Sequence, residues 1–152
     1  MRKLPWRSCS RPTRRCGCRT AIAHVAADLG LGVFKPLTDG ERYDLIFDLR
    51  PLLVRVQCKW AALSDDVLIV RCRSWRRTRS GLVHRGYTAD EIDAIAAYAG
   101  DIGRCFFVPF ELLAGRSTLQ LRLAPSRNNQ RTGINWADDF DLGARLMALL
   151  GP

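Results

Sequence analysis

The chain has 152 residues, is 47% hydrophobic and 26% charged, and carries a formal net charge of +9; this length suits one domain with a real core. No apolar run approaches the roughly 18 residues of a membrane span, and the basic N-terminus lacks the apolar stretch of a secretory signal, so a cytoplasmic protein without membrane partners is expected. The charge is concentrated: residues 1–19 hold seven Arg or Lys and no acid, and residues 71–85 hold six Arg, one His and no acid. Two basic blocks on a mildly acidic body make an electrostatic footprint for a polyanion, most commonly nucleic acid.

In chain order, residues 1–19 read as an irregular basic N-terminal segment, with residues 20–152 forming the domain. Its cysteines, Cys9, Cys16 and Cys18, are spaced C-x6-C-x-C and lack the paired C-x2-C knuckles of structural zinc sites. Thr20 is placed to cap a helix from Ala21 to Leu29, ended by Gly30 and Gly32. Val33-Phe34 reads as a short extended segment and residues 36–42 as a polar turn.

Two strands follow, Tyr43 to Asp48 and Leu53 to Lys59, joined tightly through Leu49-Arg50-Pro51-Leu52. The second alternates with period two: Val54, Val56 and Cys58 face one way, Arg55, Gln57 and Lys59 the other. With Arg50 and Pro51 as the turn, the register puts Asp44 opposite Gln57. Directly opposed Cβ atoms are roughly 4.5–5.5 Å apart, close enough for both side chains to hold one cation. Lys59 lies one step further along the same face. A carboxylate, an amide oxygen and an ammonium converging there suit metal-assisted phosphodiester chemistry.

Beyond the hairpin, Val67 to Cys72 reads as a third strand and Arg71 to Gly86 as a long basic loop carrying Trp75. Thr88 is placed to cap a helix running to Gly100. Cys105 to Pro109 is wholly apolar, as in a central strand covered on both faces. Leu119 to Leu123 alternates as a strand, residues 125–133 form a polar loop, and Asn135 is placed to cap a last helix ending near Leu150. Cys58, Cys72 and Cys105 fall in strands, where a free thiol behaves as a small hydrophobe. The order implies an α/β fold: a mixed sheet flanked by helices, built from an antiparallel hairpin and a strand added through a helical crossover.

Asp on one strand and Gln-x-Lys on the next resemble the PD-(D/E)xK nuclease superfamily. Arg42-Tyr43-Asp44-Leu45, Arg55-Val56-Gln57-Cys58-Lys59 and residues 121–130 (Leu-Arg-Leu-Ala-Pro-Ser-Arg-Asn-Asn-Gln) resemble its group I intron homing-endonuclease-like branch, over roughly residues 20–150. The resemblance implies a restriction-endonuclease-like mixed β-sheet flanked by helices. It implies a DNA endonuclease that hydrolyses phosphodiester bonds with Mg2+, or Mn2+, as cofactor. Asp44 resembles the metal-binding aspartate, Gln57 stands at the usual Glu or Asp position, and Lys59 resembles the catalytic lysine. The metal set it implies is Asp44, Gln57 and the backbone carbonyl of Cys58, and the partners are duplex or branched DNA and further copies in a homodimer or homotetramer.

One departure accompanies the match. The branch carries a Glu on its first helix, whereas here no Asp or Glu precedes Asp28, the corresponding position falls near Arg19, and His24 is the helix residue able to ligate a metal. The alternative is therefore a catalytically degenerate DNA-binding protein of the same fold. In either case Arg73, Arg76, Arg77 and Arg79, with Arg127, Asn128 and Arg131 of the polar loop, are the candidate DNA contacts, because guanidinium groups fork onto phosphate and amides read base edges.

Overall fold

The computed structural model describes residues 14–126, 128, 130 and 132–151; residues 1–13, with Cys9, and also Arg127 and Arg131 lie outside them, as does the side chain of Cys16. Helix α1 spans Arg14–Asp28 and so begins earlier than the predicted Thr20 cap. The helix extends because Cys18, Ile22 and Ala26, spaced four residues apart, form its fully buried stripe.

Strands β1 (Gly32–Phe34), β2 (Leu45–Asp48) and β3 (Leu53–Ser64) form an antiparallel meander. The register pairs Leu45 with Val56 and Asp48 with Leu53. One step further, Asp44 donates its N–H to Val56 O at 2.8 Å and lies opposite Gln57, as the Arg50-Pro51 turn predicts. The turn itself is closed by Leu49 N–H to Leu52 O at 2.8 Å.

At Val56, β3 is paired on both edges, with β2 on one and, in parallel, β7 (Ala94–Ala99) on the other. Its last four residues pair with β4 (Val67–Arg71), which pairs with β9 (Thr118–Arg122). β8 (Arg104–Pro109) pairs with β7. These make one seven-stranded mixed sheet, and β5 (Arg73–Thr78) and β6 (Gly81–Gly86) form a separate hairpin.

Five expectations are corrected here. The segment after Thr88 is not a helix. Thr88 does donate its N–H to Glu91 Oε2 at 3.1 Å, as at a helix start, but the turn ends there and the chain enters β7. Ala94 to Ala97 and Ala99 are all fully buried, because β7 is covered on both faces, and such a run carries no period to distinguish strand from helix. The parallel strand is therefore reached through β4, β5 and β6 rather than a helical crossover. The basic loop is the β5–β6 hairpin, whose Trp75 packs at a tilt against its cross-strand partner His84, ring centres 3.6 Å apart. β8 is covered on both faces but pairs with one strand, β7, its other edge making an isolated bridge from Phe106 to Asp141. The last helix, α2 (Leu142–Leu150), is capped by Asp141 Oδ2, which accepts Ala144 N–H at 3.1 Å, not by Asn135.

Two apolar clusters line the two faces. One gathers Cys18, Ile22, Phe47, Val56, Phe107 and Leu146 beneath α1 and α2; the other gathers Leu68, Ile95, Phe106, Val108 and Leu121. Cys18, Cys58, Cys72 and Cys105 are free and buried. Burial raises their thiols, that of Cys105 to about 11. No helix among the described residues is long and apolar enough to cross a membrane.

Arg55 joins β3 to the start of β7. Its N–H and Nε donate to Asp93 Oδ2 at 2.7 and 3.0 Å, and its side chain also reaches the carbonyls of Ala89 and Asp90. Burial acts to raise the Asp93 carboxyl, but the Arg55 hydrogen bonds outweigh it and hold the group below its usual range. A depressed folded value means stabilisation that is complete above the unfolded aspartate range, about 3.9, and is lost as pH falls through the folded one. Asp93→Asn is expected to lower the unfolding free energy by about 1–2 kcal/mol at neutral pH, the gap from the parent closing in acid. Urea titrations across pH check it; a gap unchanged in acid would show no charge contribution from this pair.

The indole of Trp60 closes the β7 end, edge-on to Tyr98 at 5.5 Å, and passes over Gly100. A Cβ on Gly100 would lie 2.2 Å from Trp60 Cη2. Gly100→Ala is expected to cost about 1–3 kcal/mol through displacement of that ring, measured by denaturant midpoint. Parental stability would mean that Trp60 has an equally good second position.

Candidate active site

Among the described residues, Asp44 and Gln57 are the buried polar side chains of the interior, each 7% exposed. The hairpin register holds them face to face. The carboxylate of Asp44 accepts Cys58 N–H at 3.0 Å and the Gln57 amide N–H on the same oxygen, Oδ2. The Gln57 amide also donates to Cys58 O at 3.3 Å. An acid, an amide and a backbone carbonyl thus converge at one point on β3, and that arrangement is legible from the period-two pattern.

The donor set suits a hard divalent cation. Asp44 Oδ2 and Cys58 O already converge on the Gln57 amide, and half a turn of that amide presents its oxygen to the same point. Three oxygens of this type are what Mg2+ or Mn2+ prefers. Charge works against the ion. Arg19 of α1 places its NH2 group 3.2 Å from Asp44 Oδ1, pairing the single carboxylate of the set. The Arg19 Nε is buried without an acceptor among the described residues, an arrangement that costs about 1–3 kcal/mol. The first helix therefore delivers a cation where a carboxylate would have strengthened the site. His24 does not replace it: it pairs with Asp28 at 3.3 Å on the exposed face of α1. Among the described residues no group of three or more His, Cys, Asp and Glu could hold a metal.

Lys59 shares a cleft of about 290 Å³ with Gln57 and Cys58, walled also by Glu41, Arg42, Trp75 and Tyr87. Its Nζ donates to Arg73 O at 3.1 Å and lies 5.2 Å from the centre of the Tyr87 ring. Arg55, the third residue of the predicted polar stripe, belongs to the Asp93 clamp and not to this cleft.

Arg42, two residues before Asp44, ties the basic hairpin to the cleft. It donates to Ser74 Oγ and Gly86 O, both at 2.7 Å, stacks on Tyr87 at 4.5 Å, and pairs with Glu91 at 3.3 Å. Glu91 also pairs with Arg85 at 2.5 Å. Burial acts to raise the Glu91 carboxyl, and the Thr88 N–H with the two arginines outweighs it, holding the group ionised below its usual range. The sequence pattern assigns Arg42, Tyr87 and Glu91 no role, because their partners lie on segments that read as loop and helix.

Of the predicted DNA contacts, Arg73, Arg76, Arg77 and Arg79 are exposed on the β5–β6 hairpin, whose Ser74 and Trp75 line the cleft. Asn128 lines a separate polar groove with Asp65, Asp66, Gln120, Arg122 and Gln130, so the structure divides the predicted contacts between two surfaces.

Residues 16–143 match the family model of the PD-(D/E)XK endonucleases. The fold is similar to that in "The structure of a bacterial homing endonuclease: I-Ssp6803I", with a TM-score of 0.70 and 24% sequence identity over 88% of this chain and 90% of that one. No curated protein matches the chain. A family match spanning most of the chain, with the strand pair that carries an acid against Gln-x-Lys at its centre, makes this protein a member of the PD-(D/E)XK endonuclease family.

Proposed function

We propose that this protein is a DNA endonuclease that hydrolyses phosphodiester bonds at Asp44, Gln57 and Lys59 with a divalent cation, Mg2+ or Mn2+. The observation that carries this reading is the convergence of Asp44 Oδ2 and Cys58 O on the Gln57 amide, where Gln57 and Cys58 also line the cleft that holds Lys59. Asp44, Gln57 and Cys58 O hold the cation, which supplies positive charge at the phosphoryl oxygens. Lys59 steadies the charge that builds on the phosphorus centre and orients the attacking water; its tether to Arg73 O keeps the ammonium at the edge of the cleft, toward the incoming backbone. The β5–β6 hairpin is a two-stranded ribbon, of a size that a duplex major groove admits, with Arg73, Arg76 and Arg77 exposed on β5 and Arg79 in its turn. The second reading, a DNA-binding protein that does not cleave, is favoured by one observation, the Arg19–Asp44 ion pair. Pairing of two copies is part of the proposal, supported by the exposed Met147, Leu149 and Leu150 of α2.

Asp44→Asn and Lys59→Ala are each expected to reduce plasmid cleavage by about a hundredfold or more, because both act on charge that develops in the transition state. Chelator is expected to abolish cleavage by the parent. Supercoiled plasmid with Mg2+, Mn2+ or chelator is the assay. Equal cutting by Asp44→Asn would discard the site assignment, and a parent inert with both metals would favour the binding-only reading.

Replacing Arg76, Arg77 and Arg79 together by Ala is expected to flatten the dependence of log K on log salt by roughly 0.9 for each phosphate that the variant no longer neutralises. Duplex affinity across a salt series measures it. An unchanged slope would remove the hairpin from the interface.

A further inference from the structure

Arg19 reaches the candidate metal-binding carboxylate from α1, and its guanidinium is poorly satisfied there. One NH2 group lies 3.2 Å from Asp44 Oδ1, while Nε is shut from solvent without an acceptor among the described residues. The Arg19 side chain is 27% exposed and lines a small polar cleft with Lys35, Asp39, Glu41 and Asp44. It can therefore leave Asp44 without opening the core. A phosphodiester offers what Asp44 Oδ1 alone does not, paired oxygens matching the planar guanidinium fork.

We propose that Arg19 is a substrate-phosphate-binding residue that serves at rest as the counter-ion of Asp44, so that cation binding at this carboxylate is conditional on DNA. The proposal rests on the assignment of Asp44 as a cation ligand. In the free protein the guanidinium occupies the carboxylate and repels a second cation at close range. When a duplex arrives, its phosphate takes over Arg19, and that counter-ion leaves Asp44. Linkage then requires reciprocity: the factor by which DNA tightens cation binding equals the factor by which the cation tightens DNA binding. The arrangement explains how one carboxylate, paired at rest with Arg19, serves a cation at all. The substrate removes the competing charge.

Calorimetric titration of Mn2+ into the full chain, with and without a short duplex, tests this without reading cleavage. Ca2+ titrations with the same duplex give the reciprocal arm. The parent is expected to bind Mn2+ weakly alone and roughly tenfold or more tightly with duplex. Arg19→Gln keeps the length and polarity but removes the charge. It is expected to bind Mn2+ roughly tenfold more tightly than the parent in the absence of DNA, and to lose most of the gain from duplex. Arg19→Lys keeps the charge and is expected to bind Mn2+ as weakly as the parent. Urea midpoints confirm that each variant is folded. Parental Mn2+ affinity in DNA-free Arg19→Gln overturns the proposal. A separate arm identifies failure of the underlying assignment: if adding Asp44→Asn to Arg19→Gln leaves Mn2+ affinity unchanged, the cation does not use this carboxylate, and the proposal falls with the site.

Discussion

The double pairing of β3 at Val56 is the constraint on which the rest of the molecule depends. A strand hydrogen-bonded on both edges cannot slip, and a one-residue slip would turn Gln57 and Lys59 to the opposite face. Leu45 on one side and Ala94 on the other hold the register, and the Arg55–Asp93 clamp repeats the constraint one residue earlier. Asp44 inherits its place from this pairing, since its own N–H bonds to Val56 O. The side chains that meet at the candidate site are therefore positioned by backbone pairing and not by their own contacts.

Once placed, those side chains face an electrostatic problem. Asp44 is nearly fully buried, and a buried carboxylate must be paired or hydrogen-bonded to remain charged. Cys58 N–H, the Gln57 amide and Arg19 all serve that need. A neutral Gln in place of a second acid removes carboxylate repulsion, so the pair is stable without an ion, and the same substitution leaves less negative charge to attract one. Resting stability and cation affinity draw on the same oxygen atoms.

The parts of this arrangement that are legible in the sequence are those governed by local period. The alternation of Val54, Val56 and Cys58, with a turn at Arg50-Pro51, gives the hairpin and the Asp44–Gln57 opposition directly. What the sequence hides depends on partners distant in the chain. Ala94 to Ala99 reads as helix because alanine favours helices and both faces are apolar; only the docking of β3 and β8 on its two edges makes it a strand. Arg71 to Gly86 reads as loop because its strands carry charge in place of an apolar face, yet Trp75 packed against His84 and the Ser74 and Gly86 bonds from Arg42 hold residues 73–86 as a ribbon. In sequence Arg19 stands out only as the absence of a carboxylate; its grip on Asp44 follows from the packing of α1 over β2 and β3.

Arg42 has a mechanical consequence. Its guanidinium grips both strands of the hairpin at their root, through Ser74 Oγ and Gly86 O, while its backbone lies two residues from Asp44 on the chain that enters β2. The basic ribbon and the buried acid are therefore ends of a single short lever, with Tyr87 and Glu91 as its bearing. Load applied at the tip by a bent or grooved polyanion arrives at the carboxylate as a tug on its own strand, with too little chain between them to absorb it.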